Sequence, residues 1–327
     1  YSGTTLVTGA AGFMGSHVVE HLAKKGVKVR ATARPRNDIS FFDNLGVEYV
    51  PADLTKPETL PPLFEGDVDR VFHLGAICNL TTPFKELYPT NVAGVEHITT
   101  LAMRKKVRCF VHVTSTTVYG QYTGIPFKES ANRNPTEDYG KSKKAGEDIV
   151  FTQIKKGLPA IILRPCTVYG PRCNDGAGKA FSRPSTISAI PGNGKQLLAN
   201  IRAEDVAEAI EFLSFKEDTI GEAFNIAENT TPTLEEALTL AAELYKTKVP
   251  KLHLPLGIVK ATALIDGLIS GFKSKIPDLE YNAVKYLYKD YVVDNSKLAE
   301  TGFQLRFPDF ESSMRQLGEL YWKTLNK

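Results

Sequence analysis

Cysteine is scarce in this chain and scattered. The four residues, Cys78, Cys109, Cys166 and Cys173, form no CxxC pair and no metal-ligand spacing with the six histidines. That excludes a zinc module and a disulfide framework, and points to reduced thiols in a cytoplasmic protein with no metal site. An excess of one charge is also missing. Forty basic residues against 37 acidic ones leave a net +3, so no bulk field draws the chain onto nucleic acid. Lys141-Ser142-Lys143-Lys144 is a local cluster without interleaved aromatics, which argues against nucleic-acid binding. Long apolar runs are absent. The most apolar late stretch, 256–272, is interrupted by Lys260 and Asp266 and is too short and charged to span a membrane. The first residues enter a strand-like run at once, so no leader peptide is expected. No internal repeat or low-complexity tract is visible. The remaining composition, 42% hydrophobic and 24% charged over 327 residues, suits a globular protein with ample core, organised as one large domain or a domain and a half.

The opening stretch is the most informative. Thr4-Thr5-Leu6-Val7-Thr8 is a short β-branched, apolar run that predicts a buried parallel strand. It leads into Gly9-Ala10-Ala11-Gly12-Phe13-Met14-Gly15, a glycine turn that opens a helix over 13–25, closed by Gly26. Backbone N–H groups at such a turn can face a pyrophosphate because no side chain blocks the approach. Strand and helix signals then alternate. Strands are expected at 27–33, 47–50, 71–74, 109–114 and 160–163, with helices at 39–45, 84–106 and 137–156. The alternation implies an α/β fold, a doubly wound parallel sheet covered on both faces. Ligands of such sheets lie beyond the carboxyl ends of the strands, where Gly9, Gly75, Ser115 and Arg164 fall. The second half differs. Residues 171–194 are rich in Gly, Pro, Ser and Asn, residues 223–226 could add a strand to the main sheet, and Thr233-Leu234-Glu235-Glu236 is a capping box. Residues 1–167, completed by 204–227, are expected to form the nucleotide-binding domain. Residues 168–203 and 228–327 are expected to form a smaller, mainly helical substrate lid.

Tyr139 and Lys143 lie four apart on one predicted helix and so share a face. A free tyrosine ionises near pH ~10, and a neighbouring ammonium favours its phenolate. Such a tyrosine can exchange a proton with a carbinol oxygen, which Ser115 could bind by hydrogen bond. Tyr281 and Lys285 have the same spacing, but they lie in the tail with no glycine turn or strand end nearby.

These residues carry a resemblance. Thr8 to Gly15, Ser115 and Tyr139-Gly140-Lys141-Ser142-Lys143 resemble the extended short-chain dehydrogenase/reductase family, the NAD-dependent epimerase/dehydratase superfamily. Val118-Tyr119-Gly120, Leu163-Arg164-Pro165, Val168-Tyr169-Gly170-Pro171, Asp53-Leu54, Asn91-Val92-Ala93-Gly94 and Asp205-Val206-Ala207 are similar to its further signatures, in order, across residues 4–227. The resemblance implies a Rossmann fold with Ser115, Tyr139 and Lys143 as the catalytic set. Tyr139 would be the acid/base, and Lys143 would bind the nicotinamide ribose and tune Tyr139. It also implies a dinucleotide lying along Gly9, Ala11, Gly12, Phe13, Met14 and Gly15. Asp53 and Leu54 would flank the adenine, Leu74, Gly75 and Ala76 would line the path, and Thr114, Pro165 and Thr167 would lie near the nicotinamide. Asn91 is expected to brace the sheet. A homodimer through the 84–106 and 137–156 helices is implied in the same way.

The acidic residue that selects NAD is expected about 20 residues past the glycines. Ala33 stands there instead, followed by Arg34 and Arg36, cations suited to a 2′-phosphate. NADP is therefore expected in preference to NAD. Thr116 and Thr117 occupy the places where the family's dehydratases carry an acidic pair, and hydroxyls of ordinary pKa do not do that work. A 4-epimerase remains compatible, although Leu198 stands where its diphosphate-binding arginine is expected; Arg202 and Lys195 are nearby cations. Residues 29–35 look more like the branch of 3β-hydroxysteroid dehydrogenases and dihydroflavonol-type reductases. The leading expectation is an NAD(P)-dependent dehydrogenase/reductase acting on a small-molecule secondary alcohol or ketone, with a bulky apolar one fitting residues 254–272. The alternatives are a sugar-nucleotide 4-epimerase holding NAD tightly and a non-catalytic scaffold, the latter disfavoured by the complete Ser-Tyr-Lys set.

Overall fold

The computed structural model describes residues 3–35, 39–120, 124–174, 178–182, 189–272 and 281–325. The first strand is β1 (Thr4–Thr8), and all five of its residues are buried. Leu6 faces one apolar cluster and Val7 the other, as a strand covered on both faces requires. Helix α1 (Phe13–Lys24) follows, then β2 (Val29–Thr32), the two-residue β3 (Glu48–Tyr49) and β4 (Val68–His73). After α2 (Phe84–Tyr88) and a π-helical turn at Pro89–Ala93 come α3 (Gly94–Lys105), β5 (Cys109–Val113), α4 (Asp138–Lys155) and β6 (Ala160–Pro165). Two deviations from the sequence expectation have local causes. The predicted helix 84–106 is broken because Pro89 offers no N–H to the preceding turn. The predicted helix 39–45 is a single 3₁₀ turn, Ser40–Phe42.

Beyond β6 lie β7 (Thr167–Tyr169), the short α5 (Lys179–Ser182), β8 (Ala189–Pro191), β9 (Asn200–Arg202), α6 (Ala203–Ser214) and β10 (Ala223–Ile226). The chain continues through α7 (Leu234–Leu244), β11 (Leu252–Leu254), α8 (Leu256–Phe272), α9 (Ser296–Glu300) and α10 (Phe310–Leu325). Seven strands form one sheet in the order β10-β6-β5-β4-β1-β2-β3, and every neighbouring pair is parallel. The fold is thus the α/β parallel arrangement expected, and residues 223–226 do return to the main sheet. The chain runs outward from β1 in one direction to β3 and from β4 in the other to β10. The crevice at the carboxyl ends of β1 and β4 is therefore the topological switch point.

One apolar cluster joins the sheet to α1 and α6 through Val18, Leu22, Val206 and Ile210. A second covers the other face with Val95 and Ile98 of α3 and Val150 of α4. Outside the main sheet, β7 pairs with β9 and β8 with β11. There Tyr169, Phe181, Leu234, Phe310 and Met314 form a third cluster. Helix α7 opens on the expected capping box: Thr233 accepts from the Glu236 N–H, and the Glu236 carboxylate accepts from the Thr233 N–H.

Candidate active site

The glycine turn is built by close backbone approach. Gly9 adopts φ +67°, and a Cβ there would stand 2.7 Å from the Gly75 nitrogen. At Gly15 a Cβ would stand 2.1 Å from the Gly9 carbonyl oxygen, and at Gly12 3.2 Å from the same atom. Any side chain would fill the cradle, so the chain leaves its backbone bare at the start of α1. The first turn of α1, with Phe13 and Met14, carries no acidic residue. Exposed N–H groups at a helix start that lacks carboxylates suit a pyrophosphate. A dinucleotide therefore fits the residues present. Thr8 ties this turn to the next strand: its hydroxyl lies 2.7 Å from His73 Nδ1 and accepts from the Gly75 N–H at 3.2 Å.

On the far side, Ala33 is buried and Arg34 is exposed at the end of β2. Burial pushes the Asp53 carboxyl up, but the Thr55 N–H and hydroxyl, with Arg34 and Lys56 nearby, hold it below the usual range. Arg34 and Asp53 thus face the same end of the sheet. Arg36 lies outside the described residues. The Leu54 side chain packs where a Cβ on Gly75 would fall, 2.7 Å from its Cδ1, which draws Leu54, Leu74, Gly75 and Ala76 into one wall.

At the carboxyl end of β5, Thr114 is buried and Ser115 is half-buried in extended backbone, its hydroxyl accepting from the Thr117 N–H at 3.1 Å. On helix α4, Tyr139 is 6% exposed and Lys143 4% exposed. The Lys143 ammonium donates to the Val113 carbonyl at 3.0 Å, two residues before Ser115. Burial lowers Lys143 to about 8, against the pull of Cys78 and Glu147. Pro165 closes the opposite side, its carbonyl accepting from the Thr116 hydroxyl at 3.3 Å. Thr167 begins β7, whose backbone N–H reaches the Ala199 carbonyl at 3.4 Å. The structure therefore brings Ser115, Lys143, Thr114 and the loop after β4 to neighbouring strand ends. Of the pair with the same spacing, Tyr281 lies beside the Lys260 ammonium on α8, and Lys285 lies within electrostatic range of Asp138 at the start of α4.

Asn91 braces rather than reaches outward. Set in the π turn, it accepts from the Ile77 N–H at 2.8 Å and donates to the Ile77 carbonyl and the Ser142 hydroxyl, each at 3.0 Å. Arg202 requires a correction. As a candidate diphosphate cation it had to be available, yet it is fully buried, pairs with the Glu204 carboxylate and donates to the Ser313 carbonyl at 3.0 Å. Burial among these acceptors is its physical role. Lys195 is exposed.

Three groups escape sequence reasoning. Beneath Lys143, His73 and His112 stack with ring centroids 5.4 Å apart. Burial, with the Lys143 charge, lowers His73 to about 3 and His112 well below its usual range, so the floor of the site is neutral. Glu147 on α4 forms a buried bidentate pair with Arg164 on β6, at 3.0 and 2.8 Å. Arg164 in turn donates to the Tyr119 hydroxyl at 2.8 Å, which donates to Asn225 at 2.7 Å. Finally, Glu137, just ahead of α4, is 3% exposed and accepts from the Tyr286 hydroxyl. A carboxylate at a helix start is ordinarily a solvated partner of the helix dipole, and a phenol 149 positions away leaves no local signal. Among the described residues, no group of three or more His, Cys, Asp or Glu could hold a metal, and no helix is long and apolar enough to cross a membrane.

Comparison with known proteins decides the family. Residues 5–227 match the model of the NAD dependent epimerase/dehydratase family. The chain belongs to that family. Its relatives include a "Sterol demethylase protein B" of Methylococcus capsulatus, 27% identical across 96% of this chain and 99% of the relative. A UDP-N-acetyl-alpha-D-glucosaminuronate decarboxylase of Bacillus cytotoxicus is 29% identical across 76% of this chain and 83% of the relative. Among solved structures, a UDP-glucose 4-epimerase from Thermotoga maritima superposes with a TM-score of 0.80 at 22% identity, covering 98% of this chain and 99% of that one. This family member thus shares the epimerase fold, and its relatives act on different substrates.

Proposed function

We propose that this family member is an NAD(P)-dependent dehydrogenase/reductase that interconverts a secondary alcohol and a ketone on a bulky, apolar small molecule. The single observation that carries the reading is the convergence of Lys143, Ser115 and the helix bearing Tyr139 on the carboxyl end of β5, beside the bare-backbone turn at Gly9 and Gly15. When bound, the nicotinamide supplies or accepts the hydride. The rest falls to the chain. Tyr139 moves a proton to or from the carbinol oxygen at its hydroxyl, Lys143 holds a positive charge beside it, and Ser115 orients the same oxygen. Gly9, Ala11, Gly12, Phe13, Met14 and Gly15 would hold the diphosphate, with Asp53 and Leu54 at the adenine and Leu74, Gly75, Ala76, Thr114, Pro165 and Thr167 toward the nicotinamide.

Arg34, exposed at the end of β2 beside a buried Ala33, supports NADP over NAD. The substrate would be covered by residues 168–203 and 228–327, and a homodimer through α3 and α4 fits the exposed sides of those helices. The apolar reading is supported by α8, and by a relative named for a sterol that aligns over nearly the whole of both chains, the C-terminal region included. A 4-epimerase is the second reading, favoured by the uridine-nucleotide relative; the burial of Arg202 in its ion pair weighs against it.

The test is to present ketosteroids, flavonoid ketones and UDP-sugars with NADPH or NADH and follow loss of reduced-nicotinamide absorbance. Net oxidation of NADPH by an apolar ketone is expected, slowed by about 10²–10⁴-fold in Tyr139→Phe with cofactor affinity within a few-fold. Tightly held, non-exchanging NAD with no net turnover would sink the reductase reading, and tighter binding of NADH than NADPH would overturn the NADP preference.

A further inference from the structure

We propose that the outer face of α8 is a docking surface for an anionic lipid bilayer, on which the helix lies flat without crossing it. The docking goes beyond the proposed function. Only its purpose, passage of an apolar ketone from lipid to the site, rests on that reading.

The helix presents its apolar side to solvent. Gly257, Ile258, Ala261, Leu264 and Ile265 recur at the three- and four-residue spacing of one face, and all five are exposed. The polar side chain beside them, Thr262, donates its hydroxyl to the Val259 carbonyl at 2.9 Å. An ordinary surface helix turns its charges outward. Here Lys260 and Asp266 are half-buried and fall by helical spacing at the two edges of the strip, which itself carries no charge. The core-facing side is separate: Val259 and Ala263 pack against Val284.

The strip has apolar neighbours. Leu252 on β11, the strand that leads into α8, is more than half exposed. So is Tyr288, at the end of the 3₁₀ helix Ala283–Tyr288, whose Val284 packs against α8. With Ile258, Leu264 and Ile265, these make five of the ten exposed large apolar side chains among the described residues. Scattered exposed apolar groups need no explanation, whereas a concentration of them marks an interaction surface.

Charge selects the occupant. Lys251 is exposed just before β11, Lys260 holds its ammonium 5.2 Å from the Tyr281 ring centroid, and Lys289 is exposed just after the 3₁₀ helix. Counting Lys285, the described residues from 251 to 289 carry four lysines against one acidic residue, Asp266. That excess of three equals the net charge of the whole chain, so the positive balance belongs to this region. The next acid in sequence, Asp290, accepts from the Leu197 N–H at 3.0 Å. A second copy of the chain seated symmetrically on this strip would bring like charges together. A bilayer does the reverse: acyl chains receive the isoleucines and leucines, anionic headgroups meet the lysines, and tyrosine suits the boundary between them. The 17 residues of α8 are too few, and with Lys260 and Asp266 too charged, for a crossing that takes about 20 apolar residues. Lying in the interface sets no such requirement.

The test uses the full chain and vesicles, with neither substrate nor cofactor, so its failure is separable from failure of the proposed function. Vesicles of equimolar phosphatidylcholine and phosphatidylglycerol are expected to carry the protein upward in a flotation gradient. Phosphatidylcholine alone should carry about tenfold less, and added salt should weaken the anionic binding. Ile258→Glu and Ile265→Glu should each cut the partition coefficient by about tenfold or more, with unchanged circular dichroism because both side chains are exposed. Lys251→Gln combined with Lys289→Gln should lose about a few-fold on the anionic vesicles only. Leu320→Glu, at an exposed leucine of α10, is the control and should float as the original chain does. If the α8 variants do not fold, Leu252→Glu on β11 carries the test with the same expected loss. Absence of flotation with anionic vesicles overturns the proposal, as does equal flotation of Ile265→Glu or an equal loss in Leu320→Glu. Self-association in sedimentation velocity that Ile265→Glu abolishes, without vesicle binding, overturns it in favour of a second copy.

Discussion

The glycine turn at the start of α1 and the long helix α8 are both glycine-bearing helix entries, and they obey opposite constraints. At Gly9 and Gly15 backbone meets backbone, and an added methyl group would overlap a carbonyl or amide by more than contact distance allows. At Gly257 an added Cβ would meet nothing within 4 Å, and Ile258, Leu264 and Ile265 on the same helix are at least half exposed. Where main chain approaches main chain, residue type is dictated and function can be inferred from it. Where a helix turns outward, many sequences serve, and the identity of its ligand or neighbour leaves little trace.

Three substitutions sharpen or break that contrast, from the largest effect to the smallest. Gly15→Ala should cost about 2–4 kcal/mol of stability through overpacking and weaken dinucleotide binding on the order of a hundredfold. Urea unfolding and a nucleotide titration would check both, and unimpaired binding would show that the cradle is not built by close approach. Glu228→Gln probes a buried polar contact that belongs to neither region, where β7 meets α10. Glu228 is 3% exposed and lies 2.6 Å from the Tyr169 hydroxyl, which is 2.5 Å from Ser313. Burial raises its carboxyl to about 8 from an ordinary 4.5. The native state therefore keeps a proton that the unfolded chain has released, and stability should fall as pH rises from about 4.5 to about 8. The glutamine variant should lose that component, on the order of a few kcal/mol. Melts at pH 5 and pH 8 that differ equally in both proteins would contradict it. Gly257→Ala should stabilise the chain by about 0.5–1 kcal/mol through helix propensity alone, without altering nucleotide affinity. A loss of stability would mean that α8 is covered by something at that position.

The same contrast explains what could be read in advance. The parallel sheet, the return of residues 223–226 to it, the capping box at Thr233 and the glycine turn that opens α1 were all legible, because each rests on short-range patterning or on glycine geometry. The break in helix 84–106 was signalled by Pro89 but masked by apolar spacing on either side. The Glu147–Arg164 pair, the stacked His73 and His112 and the Glu137–Tyr286 contact were not legible. Each joins residues from different elements, and local propensity says nothing about which buried polar group will find which partner. Arg202 shows the converse error: a cation close in sequence to the expected position was already committed to Glu204 and the Ser313 carbonyl.

The position of β10 has a consequence for how the molecule is made. It pairs with the outer edge of β6, yet Ile226 leaves the ribosome about sixty residues after Pro165, a delay of several seconds at ordinary rates of synthesis. During that interval β6 is an unpaired edge whose Ile161, Ile162 and Leu163 are all destined for full burial. A nascent chain with such an edge is a template for pairing with its neighbours on the same messenger. Slower translation between the emergence of β6 and that of β10 should lengthen that exposure and lower the yield of folded protein.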